Sequence, residues 1–266
     1  FYLDMHPRDG KYGHAAEFTV ISGVKGVQLP SAALVCNFPD PTKTNGGPAL
    51  MEHGQVTTFL HEFGHLMHQL LAGDQEWVTQ SGITCEWDFV EAPSQLLEEW
   101  AWDADILARF AKHYKTGKTI PKELVAKMRK ANEFGKGVHV MRQMFYAWLS
   151  YYLHSKDPSK FKLLKELKSV TKKMSPYPYM KGTYTYANFG HINGYSSMYY
   201  TYMWSLVMAK DLFTRFKKEG LLNKKVTGDY VKSVLIPGGS QDAAVMVKNF
   251  LGRDYSFKAF QEYLEK

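Results

Sequence analysis

The chain has 266 residues, of which 45% are hydrophobic and 15% aromatic; this is enough apolar material for one sizeable core and too much for a disordered or low-complexity role. No apolar run approaches the ~18 to 20 residues of a membrane span. The two cysteines, Cys36 and Cys85, lie far apart without CxxC spacing, which argues against a disulfide scaffold or a cysteine metal site and suits a reducing compartment, cytoplasmic with an organelle as the alternative. The formal net charge of +7 gathers between Lys156 and Lys173 and between Lys217 and Lys225. Lysines recur there among apolar residues at helical spacing, the pattern of a solvated helix face and not of a nucleic-acid surface.

The start at Phe1 lacks a cationic segment followed by an apolar one, so it reads as a truncated or processed end and not as a signal peptide. Residues 1–40 carry strand-like pieces at Phe1 to His6, Glu17 to Ile21 and Val27 to Phe38, broken by Asp9-Gly10, Ser22-Gly23 and Pro39. His14 sits near a strand start and is expected to be structural. A first long helix is predicted from about Glu52 to Leu71, where Val56, Phe59, Phe63, Leu66, Met67 and Leu70 recur at helical spacing ahead of Gly73.

That helix carries His61-Glu62-Phe63-Gly64-His65. Histidines at i and i+4 share a face, so both imidazoles can reach one ion at the ~2.0 to 2.1 Å of a zinc–nitrogen bond. Glu62, ~100° further round, reaches the flank of such an ion, where it can take a proton from water. His68 continues the stripe and is expected to line the site or support it. A catalytic zinc takes a third protein ligand and keeps one open position. Glu91 is the foremost candidate, at the start of a second helix predicted from about Phe89 to Tyr114, with Glu98 and Glu99 as competitors. Asp88 and Glu91 also fit a capping box, although Pro93 would then fall inside the helix.

Further helices are predicted near Lys122 to Phe134, Val138 to His154, Ser159 to Lys173, Ser196 to Lys217, Thr227 to Leu235, Gln241 to Leu251 and Phe257 to Leu264. Ser175 to Gly194 is a long irregular stretch whose many tyrosines argue against disorder. On the helix after it, Tyr195, Tyr199 and Tyr202 fall at i, i+4 and i+7 and would share one face. Neither a repeat nor a linker divides the chain, so residues 1–266 read as one domain.

Five blocks, Tyr2 to Phe18, His61 to Leu70, Ser81 to Trp100, Phe189 to Ser205 and Pro237 to Arg253, resemble in their order the thimet oligopeptidase and neurolysin family of zinc metallopeptidases. That family includes bacterial oligopeptidase A and dipeptidyl carboxypeptidase. The resemblance implies a mainly α, zincin-like catalytic domain with a small β-sheet near the N-terminus. It also implies one zinc ion per chain held by His61, His65 and Glu91, and hydrolysis of peptides with Glu62 as general base. Tyr199, Tyr202 and His191 match the segment that stabilises the transition state; Tyr195, Gly190 and Gly194 match substrate contacts. Members of the family carry a further helical region before these blocks, which forms the opposite wall of a channel. Its absence here implies an exposed groove, relieved by a homodimer or by admission of longer unstructured polypeptides. The competing reading is a zinc-containing peptide-binding module with little hydrolytic activity.

Overall fold

The computed structural model describes residues 1–265, which form a mainly helical domain with a small sheet. Strands β1 (Tyr2–Asp4), β2 (Ala16–Ile21) and β3 (Ser31–Val35) pair in the order β1-β3-β2, with β1 parallel and β2 antiparallel to β3. Along β3 the period-2 pattern turns Ala32 and Leu34 inward. The apolar run predicted from Val27 is shorter as a strand, because Val24 to Gln28 closes a small bridged turn first.

Helix α1 (His53–Leu71) packs its apolar face on β3, and Leu66 joins Ala32, Leu34, Cys36 and Phe38 in one buried cluster. The helix predicted over Phe89 to Tyr114 is three elements: α2 (Ala92–Glu98), a 3-10 turn (Glu99–Trp102) and α3 (Ala104–Phe110). The chain breaks at Asp103, whose extended backbone frees its carboxylate to accept from the Asp105 and Ile106 N–H groups and cap α3. Pro93 falls in the first turn of α2, where its missing N–H costs nothing. The alternative of a capping box between Asp88 and Glu91 gives way to this later start, with Glu91 itself at the N-cap and Asp88 accepting from the Tyr200 hydroxyl.

Helices α4 (Lys122–Glu133), α5 (Lys136–Ser155) and α6 (Leu163–Met174) follow. In α6 Leu167 and Val170 are buried while Lys165, Lys168, Lys172 and Lys173 face solvent, as the charge pattern predicted. A one-turn helix α7 (His191–Gly194) precedes α8 (Thr201–Glu219). The start predicted at Ser196 is displaced to Thr201, because Ser196 has φ 45° and the intervening residues close successive turns. Then come α9 (Lys224–Tyr230), a π turn (Val231–Leu235), α10 (Ala243–Leu251) and α11 (Lys258–Leu264).

The largest buried cluster joins Phe89, Ala92 and Leu96 to Leu212, Phe216, Val226, Tyr230, Met246 and Phe250 of the C-terminal helices. Asp211 on α8 is buried beneath it and ion-pairs with Arg253 at 2.6 Å. A third cluster binds α5 and α6 to Phe189 and Tyr199. Cys36 and Cys85 are free. No helix among the described residues is long and apolar enough to cross a membrane.

Candidate metal centre

The site forms where α1, α2 and the segment leading into α8 meet. Three residues among those described, His61, His65 and Glu91, bring ligand atoms within 4.8 Å of one another. His61 Nε2 and His65 Nε2 each lie 3.1 Å from Glu91 Oε2, so both imidazoles present the same nitrogen to the same carboxylate oxygen. Glu91 is 1% exposed. Its Oε1 accepts from the Tyr195 hydroxyl at 2.8 Å, and Ser94 Oγ lies 3.2 Å from Oε2. No lysine or arginine among the described residues pairs with it.

A fully buried carboxylate facing two imidazole nitrogens, without a permanent cation, is a donor set suited to a divalent metal of intermediate softness. Burial alone would raise the Glu91 carboxyl, but the hydrogen bonds from His61 and His65 outweigh it and hold the pKa well below the carboxylate range. Burial works in the opposite direction on His61, and the carboxylates of Glu91 and Glu98 outweigh it to hold the imidazolium up. The field that keeps a proton there also favours a metal dication in its place. These residues therefore fit a bound zinc ion.

The approach of the two helices depends on Gly64. A Cβ there would stand 2.7 Å from Ser94 Cα and 3.0 Å from Pro93 O. A glycine inside a 19-residue helix is the sequence signal of this contact. Gly64→Ala gains ~1 kcal/mol of helix propensity, yet has to move backbone against backbone, which costs ~1–3 kcal/mol and often more. We expect a melting temperature lower by a few degrees together with weaker zinc binding, because His65 and Glu91 move apart. Calorimetry and zinc titration of the variant check this; an unchanged melting point and affinity would contradict the close packing.

Glu62 is 9% exposed, and burial, the largest influence, raises its carboxyl pKa. It lies near Glu17 of the edge strand β2, whose own carboxyl is pushed up to about 7 by burial and by the Glu62 charge. His68, expected beside the site, is instead fully buried with both ring nitrogens unpartnered; burial lowers its pKa to about 3, so it is a neutral core imidazole.

The tyrosines converge, though not as a helix stripe, since Tyr195 and Tyr199 precede α8. Their rings and that of Tyr202 surround His191, with centroids at 5.2, 5.1 and 5.7 Å. His191 Nε2 lies 3.2 Å from the Tyr202 hydroxyl, and Tyr202 stacks on Tyr195 at 5.4 Å. Tyr199 turns its hydroxyl to Gln143 Oε1 at 3.1 Å and packs on Tyr146 and Phe189. Gln95 of α2 donates to the Tyr202 carbonyl at 2.8 Å and ties α8 to the ligand helix. Gly190 and Gly194 are exposed, and a Cβ at either would meet nothing within 4 Å, so internal packing does not demand glycine there. His14, on the β1–β2 loop, packs its ring against Tyr12, and its carbonyl accepts from Asn37 Nδ2 at 3.3 Å. A cleft of ≈ 590 Å³ runs from His61 past Glu98 and Tyr202 to Lys210 and Tyr263.

An imidazole pair one helical turn apart, completed by a glutamate from a second helix and flanked by a buried carboxylate, is the arrangement of a metallopeptidase centre. The sequence profile of peptidase family M3 matches residues 1–266, and the chain belongs to that family. It is 37% identical to a thimet-like oligopeptidase of Dictyostelium discoideum, over 98% of this chain and 39% of that protein. It is 36% identical to oligopeptidase A of Escherichia coli, over 99% of this chain and 40% of that protein. The chain thus spans about two-fifths of the length of these relatives. A crystal structure assigned to oligoendopeptidase F from Bacillus anthracis shares the fold, with a TM-score of 0.59 at 14% identity over 99% of this chain and 40% of that one.

Proposed function

We propose that this chain carries a zinc-dependent site for hydrolysing peptide bonds in oligopeptides. The convergence of His61, His65 and Glu91 beside Glu62 carries the reading. His61 and His65 through Nε2 and Glu91 through Oε2 would hold the ion. Zinc bound there would polarise the scissile carbonyl and acidify water.

The remaining steps belong to the chain. Glu62, whose carboxyl pKa is raised by burial, takes a proton from the attacking water and returns it to the leaving amine. Burial also raises the Tyr202 phenol, which stays protonated at neutral pH and is available to donate to the developing oxyanion. Burial lowers His191, so the ring is neutral at pH 7 and holds the Tyr202 hydroxyl through Nε2. Tyr195 and Ser94 fix the Glu91 carboxylate. Tyr199 supports the Tyr202 ring from below, at 4.9 Å between centroids. Among the described residues β2 is an edge strand, and its Glu17 lies near Glu62, so an extended peptide added to that edge as a further strand would pass the base. Gly190 and Gly194 keep the opposite loop bare for such a peptide.

The test is cleavage of an internally quenched peptide. Hydrolysis is expected with the zinc-loaded chain, abolished by a chelator and restored by zinc. Zinc binding without cleavage would favour the peptide-binding module instead.

A further inference from the structure

Glu98 ends α2, seven residues and two helical turns beyond Glu91, and so lies on the same side of that helix. The two carboxylates bracket one imidazole. His61 Nε2 faces Glu91 Oε2 at 3.1 Å, and His61 Nδ1 lies 2.6 Å from Glu98 Oε1. The other ligand imidazole differs, because His65 Nδ1 is buried with no partner, so no hydrogen bond holds that ring from its far nitrogen. His61 is the more exposed of the pair, with a side chain 20% exposed against 12% for His65. Packing holds it less firmly and a hydrogen bond has more to decide. No lysine or arginine among the described residues competes for Glu98, because the nearby Lys210 is engaged by Glu99.

We propose that Glu98 is a positioning residue for the metal centre: by accepting the Nδ1 proton of His61 it selects the tautomer whose free lone pair is on Nε2 and aims that nitrogen at the ion. A neutral imidazole carries one ring proton, and a carboxylate at Nδ1 keeps it there, leaving Nε2 as the ligand atom and making it more basic. Glu98 would thereby act through His61 without touching the ion or the substrate. The inference rests on the zinc site proposed above and adds an orienting carboxylate to its ligand set.

Two variants of the full chain test it, with zinc affinity measured by competition against a chromogenic chelator. Glu98→Ala is expected to bind zinc about 10- to 100-fold more weakly than wild type. Glu98→Gln keeps a carbonyl oxygen that can accept from Nδ1 but loses the charge, and should fall between the two. The cobalt-substituted absorption spectrum should be altered in Glu98→Ala and close to wild type in Glu98→Gln. Zinc affinity within about twofold of wild type and a wild-type cobalt spectrum for Glu98→Ala would overturn the proposal. So would equal losses in both variants accompanied by lower metal-free stability, the signature of a helix–helix strut. A wild-type chain that binds no zinc at His61 and His65 would instead overturn the functional reading itself, and this inference with it.

Discussion

Glu62→Gln should retain zinc and peptide binding while hydrolysis falls by about 10³-fold or more, within the range a positioned general acid–base group contributes. The substitution preserves volume and one accepting oxygen. What it removes is the ability to accept a proton at neutral pH. Because Glu62 is 9% exposed, bulk water has little room to replace it as base. A thousandfold loss corresponds to about 4 kcal/mol of transition-state stabilisation, and it should appear in kcat with little change in KM. Steady-state kinetics with zinc content measured on the same sample decide the matter. A variant retaining more than about a tenth of the wild-type rate would show that another group takes the proton.

Glu91→Gln is expected to abolish activity by a different route, through loss of the metal. The carboxylate supplies the only formal negative charge among the three ligand groups, and Oε2 is shared at 3.1 Å by both imidazoles. An amide is neutral and presents either one weaker oxygen or an NH2 group toward the ion. Loss of a direct ligand should cost more than the ~10- to 100-fold that removal of an outer hydrogen-bond partner costs. Zinc should therefore be lost on dialysis against a weak chelator that leaves wild type loaded. The contrast with Glu62→Gln is diagnostic, since one variant is loaded and inactive while the other is empty and inactive. Equal zinc content in Glu91→Gln and wild type would mean that the third ligand lies elsewhere, with Glu98 the next carboxylate along α2.

The parts legible in the sequence are those set by contacts within one turn of helix or one strand. The apolar recurrence from Val56 to Leu70 specifies α1, and the same 3.6-residue period puts His61 and His65 on one face whatever surrounds them. Ala32 and Leu34 likewise follow from strand alternation. Glu91, at the start of the second predicted helix and matched by the family resemblance, is the foremost third-ligand candidate, but spacing alone does not separate it from Glu98 and Glu99 further along that helix. Tertiary structure decided the rest. It starts α2 at Ala92, so that Glu91 meets both imidazoles while Glu98 reaches the far nitrogen of His61. It breaks the tyrosine helix at Ser196, so that three rings gather round His191 through turns and not through periodicity. It also sinks His68 into the core, although its position on the stripe pointed to the site. Each of these outcomes depends on contacts between residues distant in the chain, such as Gly64 against Ser94 or Gln95 against the Tyr202 carbonyl. Such contacts leave no period in the sequence, because the helix faces that meet are chosen by the packing of the whole domain.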